Sequence, residues 1–237
     1  MDRVPGEVIY ALTLDGKGGM APLMAGSEVP AAHPGWLHLD YGNPDSARWL
    51  LQTPLLSEAA RESLLGQSNR PKLVRMGETV LLILRGINHN KDHRPEEMVA
   101  LRIFITPDLI ISSRRRPLLS EQDVFNQLKL GGGADTPADW LVEICDALTD
   151  RAGEFVEELH DKILDLEEMV LMRDMPANGR LALIRKQLIM IRRYLSPQRD
   201  LVARLANEKI SWLDEDDRRR LLDIADRLRR WLDDLDA

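Results

Sequence analysis

From residue 138 onward the apolar residues recur at the spacing of a helix. Leu141, Ile144, Leu148, Ala152, Phe155, Leu159, Ile163, Leu166 and Val170 step by about 3.6 residues on average, which lays them on one stripe. Glu143, Asp146, Asp150, Glu154, Glu157, Glu158, Asp161, Asp165 and Glu168 lie opposite. The pattern predicts one long helix from Ala138 to Arg173, ended by Met175-Pro176-Ala177-Asn178-Gly179. A second helix follows from Leu181, Ile184, Leu188, Ile191 and Leu195. Pro197 is expected to kink or break it, because proline lacks an N–H and clashes with the preceding turn. Leu221, Ile224, Leu228, Trp231 and Leu235 predict a last helix, with Asp214 as its cap. Their spacing, about 3.5 residues on average, suits a helix packed lengthwise on others.

Before Gly131-Gly132-Gly133 the period is shorter and mixed. Strands are predicted at Glu7 to Leu14, Trp36 to Tyr41, Lys72 to Met76, Thr79 to Asn88, Met98 to Thr106 and Leu109 to Ser113. Gly77-Glu78 and Pro107-Asp108 read as hairpin turns, and Asp15-Gly16-Lys17-Gly18-Gly19 ends the first strand. Val80 to Leu84 is apolar on both faces, so that strand should be central and covered on both sides. Helices are expected from Asn43-Pro44-Asp45 to Gln52, from a Ser57 cap to Leu65, and from Ser120 to Leu130. The fold class is therefore α+β, divided at 1–134 and 135–237.

Charge sharpens this division. Residues 1–134 hold 15 Lys+Arg and 15 Asp+Glu, so the second part carries the whole net charge of −7. An acidic helical half argues against nucleic acid as a partner and permits a cation-attracting surface. A single cysteine, Cys145, excludes an internal disulfide; beside the apolar stripe, it reads as semi-buried packing rather than a nucleophile. The N-terminus shows no apolar stretch behind a basic start, so no signal peptide is expected. The longest apolar run, Val80 to Leu84, is far short of the roughly 20 residues of a membrane-spanning helix. Asp233-Asp234-Leu235-Asp236-Ala237 offers no stop signal and puts acids where a helix end prefers bases, so the last helix is expected to continue in a longer parent protein.

Catalytic constellations are missing: there is no phosphate-cradling glycine loop, nucleophile elbow or His-Glu-x-x-His. Metal ligands are the better candidates. Glu157, His160 and Asp161 share neighbouring helix surface on the acidic helix, and imidazole with carboxylate is zinc chemistry. His89 and His93, with Asp92, Glu96 and Glu97, form a weaker set in a loop between strands. His33 and His38 look structural. The runs Arg114-Arg115-Arg116 and Arg218-Arg219-Arg220 either pair with nearby acids or hold anions.

Several segments resemble CorA-type divalent-cation transporters, in their zinc-transporting branch. They are Asp40-Tyr41-Gly42-Asn43-Pro44-Asp45-Ser46-Ala47-Arg48-Trp49-Leu50, Cys145-Asp146-Ala147-Leu148-Thr149-Asp150, Glu157-Glu158-Leu159-His160-Asp161-Lys162-Ile163, Arg185-Lys186-Gln187-Leu188-Ile189 onward to Pro197-Gln198-Arg199-Asp200, and Ile224-Ala225-Asp226-Arg227-Leu228. The resemblance implies an N-terminal α/β/α layered domain with a mixed sheet, then long antiparallel helices ending in a truncated stalk helix. It further implies a homopentameric funnel on the cytoplasmic face of the bacterial inner membrane, moving Zn2+ and using no cofactor. The family's Gly-x-Asn signature follows a membrane helix; Gly86-Ile87-Asn88 matches it by letters but follows a strand, so the match reads as accidental. The alternative is a stand-alone soluble metal-binding or scaffold protein with the same fold.

Overall fold

A computed structural model describes residues 3–29, 33–171 and 178–236. The strands are β1 (Tyr10–Leu14), β2 (Met20–Pro22), β3 (Gly35–Asp40), β4 (Lys72–Met76), β5 (Thr79–Gly86), β6 (Val99–Ile105) and β7 (Leu109–Arg114). They form one mixed sheet in the order β2-β1-β3-β7-β6-β5-β4, in which only β3 and β7 run parallel. The helices are α1 (Pro44–Gln52), α2 (Glu58–Leu65), α3 (Leu119–Leu130), α4 (Pro137–Leu171), α5 (Asn178–Asn207) and α6 (Glu215–Asp236).

Alternation along the strands divides the core in two. Leu37, Leu39, Leu81, Phe104 and Ile111 meet Leu50, Ala60 and Leu64 of α1 and α2. Trp36, Leu82, Leu84, Ile103 and Ile110 face the other way, onto Val124, Leu128, Trp140, Leu141 and Leu148 of α3 and α4. The layers are α/β/α, and the α+β class is borne out. β5, apolar on both faces, lies between β4 and β6 and is buried along nearly its whole length.

Local signals explain the helix ends. Asn43 accepts from the N–H groups of Asp45 and Ser46 to start α1, with Pro44 in the first turn. Ser57 caps α2. Asp214 and Asp217 bond each other's backbone N–H at the start of α6, a reciprocal cap. Gly131 takes the left-handed conformation that ends α3, at φ 77°.

Three expectations need correction. β1 begins at Tyr10 rather than Glu7, whose carbonyl accepts from the Ser46 hydroxyl at 2.8 Å instead of joining the ladder. β2 was not expected, and at three residues it carries no readable alternation. Of the kink or break expected at Pro197, the break does not occur, since α5 runs through it. Just beyond it Gln198 accepts from the Arg85 N–H at 2.7 Å and donates to the Arg85 carbonyl at 3.0 Å. That completes the edge of β5 where β4, ending its pairing at Ile83, has run out. The helix-ending segment expected at 175–179 lies mostly outside the described residues.

A buried polar group ties sheet to helices. Glu121 of α3 is fully buried and faces His38 Nε2 at 3.0 Å and Arg114 Nε at 3.2 Å. The Ser112 hydroxyl lies 2.7 Å from His38 Nδ1 and accepts from Trp36 Nε1 at 2.8 Å. Burial, then the Glu121 charge, push the adjacent Tyr10 hydroxyl up to about 12. Removing one partner of a buried ion pair strands the other. We therefore expect Glu121→Ala to lower the unfolding free energy by about 3–5 kcal/mol. Arg48→Ala, at an exposed pair with Asp45, should cost no more than about 1 kcal/mol. Urea unfolding of both variants checks the contrast.

Candidate metal-facing site

α6 packs along both α5 and α4, which touch each other far less. The α4–α6 seam is laced by charge near the start of α4. Arg220 pairs with Asp139 at 2.8 Å; Arg227 reaches Asp146 and, at 2.8 Å, Asp150. Arg218 instead fixes the turn before α6 by donating to the carbonyls of Ala206, Glu208 and Ile210. The basic run on α6 is thus spent on its own neighbourhood, with Arg219 on Asp216.

Beyond Asp150 the lacing stops. Here Gly153 lets Trp231 approach α4, because a Cβ there would meet the Trp231 indole at 2.6 Å. Trp231 then lines a pocket of about 460 Å³ with Val156, Glu157, His160, Asp161 and Asp234. No arginine or lysine is among these lining residues. Three predicted ligands, Glu157, His160 and Asp161, therefore share one pocket, on exposed helix surface. Trp231 and Asp234 lie on a different helix and carry no local sign of neighbouring these residues; the signal that could have found them is the glycine, Gly153, facing Trp231. Among the described residues, no three His, Cys, Asp or Glu side chains converge closely enough to hold an ion by themselves.

The weaker set is not brought to this pocket. His89 and His93 are exposed in the loop joining β5 to β6, with His93 Nδ1 3.3 Å from Glu97 Oε2. Glu96 is buried and accepts from Gln187 of α5 at 3.1 Å, so it anchors that loop rather than facing solvent. Asn88, of the accidental Gly-x-Asn match, is buried and donates to the Glu97 carbonyl at 2.9 Å. His33 is exposed and His38 fully buried.

A second acidic hollow, of about 320 Å³, lies on the α3 side of α4 and includes Asp123, Glu143, Asp146, Asp150 and Glu154 around Arg151. Arg151 pairs with Asp123 at 2.9 Å. The Glu143 carboxyl is pushed up to about 7, first by burial and then by Asp139, against the opposing pull of Arg220. Cys145 is more buried than its position beside the stripe predicts, at 2% exposure, and burial pushes its thiol up to about 12. Ser112, His38 and Glu121 follow one another like nucleophile, base and acid, but all three are 0% exposed.

The class to which a layered α/β domain with a long helical bundle and an acidic seam belongs follows from comparison with known proteins. Residues 32–237 match the family model described as CorA-like Mg2+ transporter protein, and the chain belongs to that family. The "Zinc transport protein ZntB" of Yersinia enterocolitica serotype O:8 / biotype 1B is 50% identical over 231 residues, which are 98% of this chain and 71% of that protein. The full-length CmaX protein superposes with a TM-score of 0.91 at 34% identity, covering 100% of this chain and 74% of that one. The ZntB cytoplasmic domain of Vibrio parahaemolyticus RIMD 2210633 superposes with a TM-score of 0.80 over 98% of this chain and 94% of its own, at 20% identity, which speaks for the fold alone. No helix among the described residues is long and apolar enough to cross a membrane.

Two outcomes test this geometry. Gly153→Ala should destabilise the chain by about 1–3 kcal/mol through overpacking against Trp231, read as a lower urea midpoint. An unchanged midpoint would mean that the ring moves aside freely. For Glu143, folded-state protons outnumber unfolded-state protons between its ordinary value of 4.5 and about 7. Its contribution to stability is therefore present at low pH and lost as pH rises through that window. Unfolding free energies measured across the window should fall with pH less steeply in Glu143→Gln than in the parent.

Proposed function

We propose that this chain is the cytoplasmic domain of a zinc-ion transporter of the bacterial inner membrane and lines the intracellular funnel of a homopentamer. The observation that carries the reading is the 50% identity to a zinc transport protein over 98% of the chain. The acidic α4–α6 seam supports it, as carboxylates on such a surface raise the local cation concentration. In the pocket, His160 stands among Glu157, Asp161 and Asp234. Imidazole beside carboxylates favours zinc, whereas magnesium prefers all-oxygen surroundings. His89 and His93 form a second, weaker place for the same ion.

The ion is cargo here, held loosely enough to pass on, which suits a site that no single chain completes. Exposed apolar side chains support assembly. Leu164 on α4 and Leu181, Leu183 and Ile189 on α5 are between 42% and 59% exposed, and such apolar surface finds cover in a neighbouring subunit.

Calorimetric titration of the 237-residue chain tests this, with Zn2+ against Mg2+. Saturable heat is expected with Zn2+ alone, and His160→Ala should weaken it about tenfold or more. His89→Ala should change it little. An equal response to Mg2+, or unchanged affinity in His160→Ala, would remove the pocket from the account.

A further inference from the structure

A cleft of opposite character opens at the other end of the molecule's chemistry, where the parallel strands β3 and β7 finish. Beyond Asp40 and Arg114 the chain continues as Tyr41 and Arg115, and both side chains line it. Two lobes, of about 530 and 210 Å³, share Tyr41, Asn69 and Arg115. Arg102 lines the first lobe, and Arg85 and Arg116 line the second. No carboxylate lines either lobe.

The two arginines on the strands are the unusual feature. Arg85 is 6% exposed and Arg102 1%. Neither has a carboxylate within 4.0 Å among the described residues; their partners are the carbonyls of Met98, Ser63 and Ser68. A guanidinium offers five N–H donors. Arg102 spends two on those carbonyls and Arg85 one, and the Nε of each is buried with no acceptor. The rings of Tyr194 and Tyr41 face the two guanidiniums at 4.5 and 5.5 Å, a favourable contact but no countercharge. Burial, and to a smaller degree the charge of Arg102, lower the Arg85 pKa from its ordinary value. Buried like charges without an acid are costly in the free protein and are relieved by a bound anion.

The acids nearest in sequence, Asp40 and Glu97, line neither lobe. Asp40 accepts from the Gly42 N–H at 2.8 Å, and Glu97 meets His93. Gly42 leaves room for Arg115, whose Cγ would lie 3.3 Å from a Cβ at that position.

We infer that this cleft is a binding site for a phosphate-bearing small molecule, its phosphoryl oxygens received by Arg85, Arg102 and Arg115 and the rest of the ligand lying toward Tyr41 and Asn69. Arginine forks match phosphate oxygens in pairs, which a spherical halide does not exploit. The larger lobe has room for more than a phosphate group alone. The site is separate from the zinc-facing pocket, so either reading stands or falls without the other.

The test is calorimetric titration of the 237-residue chain with inorganic phosphate, pyrophosphate and ATP, each at constant ionic strength, with chloride as the comparison. Saturable binding of one or more phosphates and none of chloride is expected. Tighter binding of ATP than of phosphate and pyrophosphate would assign the site to an organic phosphate; the reverse order would assign it to the free oxyanion. Arg115 is exposed and outside the core, so Arg115→Glu should fold as the parent does and bind about ten- to a hundredfold more weakly. Arg102→Lys keeps the charge but loses the fork, and should weaken phosphate by a smaller factor with an unchanged far-ultraviolet spectrum. Absence of saturable binding for all three phosphates, equal binding of chloride, or unaltered affinity in Arg115→Glu would overturn the inference.

Discussion

Much of this fold hangs on a single carboxylate. Glu121 is fully buried, and a buried charge is costly unless paired; it takes Arg114 from the end of β7 and His38 from β3. The pairing joins the only parallel strands of the sheet to α3. Strand alternation then propagates its effect. With Ser112 and Arg114 turned toward α3, Ser113 must face α2, where its hydroxyl donates to the Leu64 carbonyl at 2.8 Å, and Arg115 must follow it to that side. The phosphate-facing cleft and the buried ion group are thus two consequences of one register.

The same anchor sets the helical half. α3 ends at Gly131, and the glycine turn is held against the sheet by the Gly133 N–H donating to the Gly18 carbonyl at 2.8 Å. α4 starts from Thr136, whose hydroxyl accepts from the Asp139 N–H at 3.1 Å. Its apolar stripe is then aimed at the sheet and at α6, leaving the carboxylates along the rims of the seam. Near the start of α4 those carboxylates meet arginines of α6. Further along they meet Trp231 and Asp234 instead, and no arginine or lysine lines the pocket around His160. An unlaced stretch is weaker glue, but its acids are not held by arginines of the facing helix.

Periodicity exposed the elements with local causes. Helical stripes, Asn43, Ser57 and Asp214 as caps, Gly77-Glu78 and Pro107-Asp108 as turns all act over a few residues, and all are found. What escaped is non-local. The parallel pairing of β3 with β7 joins Gly35 to Leu109, and no pattern within either strand announces it. Pro197 reads as a kink or break by local rules, yet the helix continues through it, with Gln198 bonded to the β5 edge. Of the site, Glu157, His160 and Asp161 were legible because they lie on one helix face. Trp231 and Asp234 come from another helix. Arg85 and Arg102 are ordinary strand residues by pattern, and only their burial without a carboxylate makes them informative.

Two surfaces of opposite sign therefore coexist on a chain of net charge −7. At physiological ionic strength fields between exposed charges fade over about 8 Å, so neither surface senses the other through solvent beyond that reach. Any coupling between a bound anion and a passing cation has to run through packed elements. α5 is the element placed to carry it. Its Gln198 grips the backbone of Arg85, its Tyr194 lies over the Arg85 guanidinium, and its Gln187 holds Glu96 in the β5–β6 loop. The same helix packs along α6, which supplies Trp231 and Asp234 to the cation pocket. Filling the cleft would give Arg85, at one flank of α5, the countercharge it lacks, and α6 is what α5 would move against. A contiguous chain of contacts is only a route, and coupling along it requires that α5 have two arrangements which both ligands distinguish.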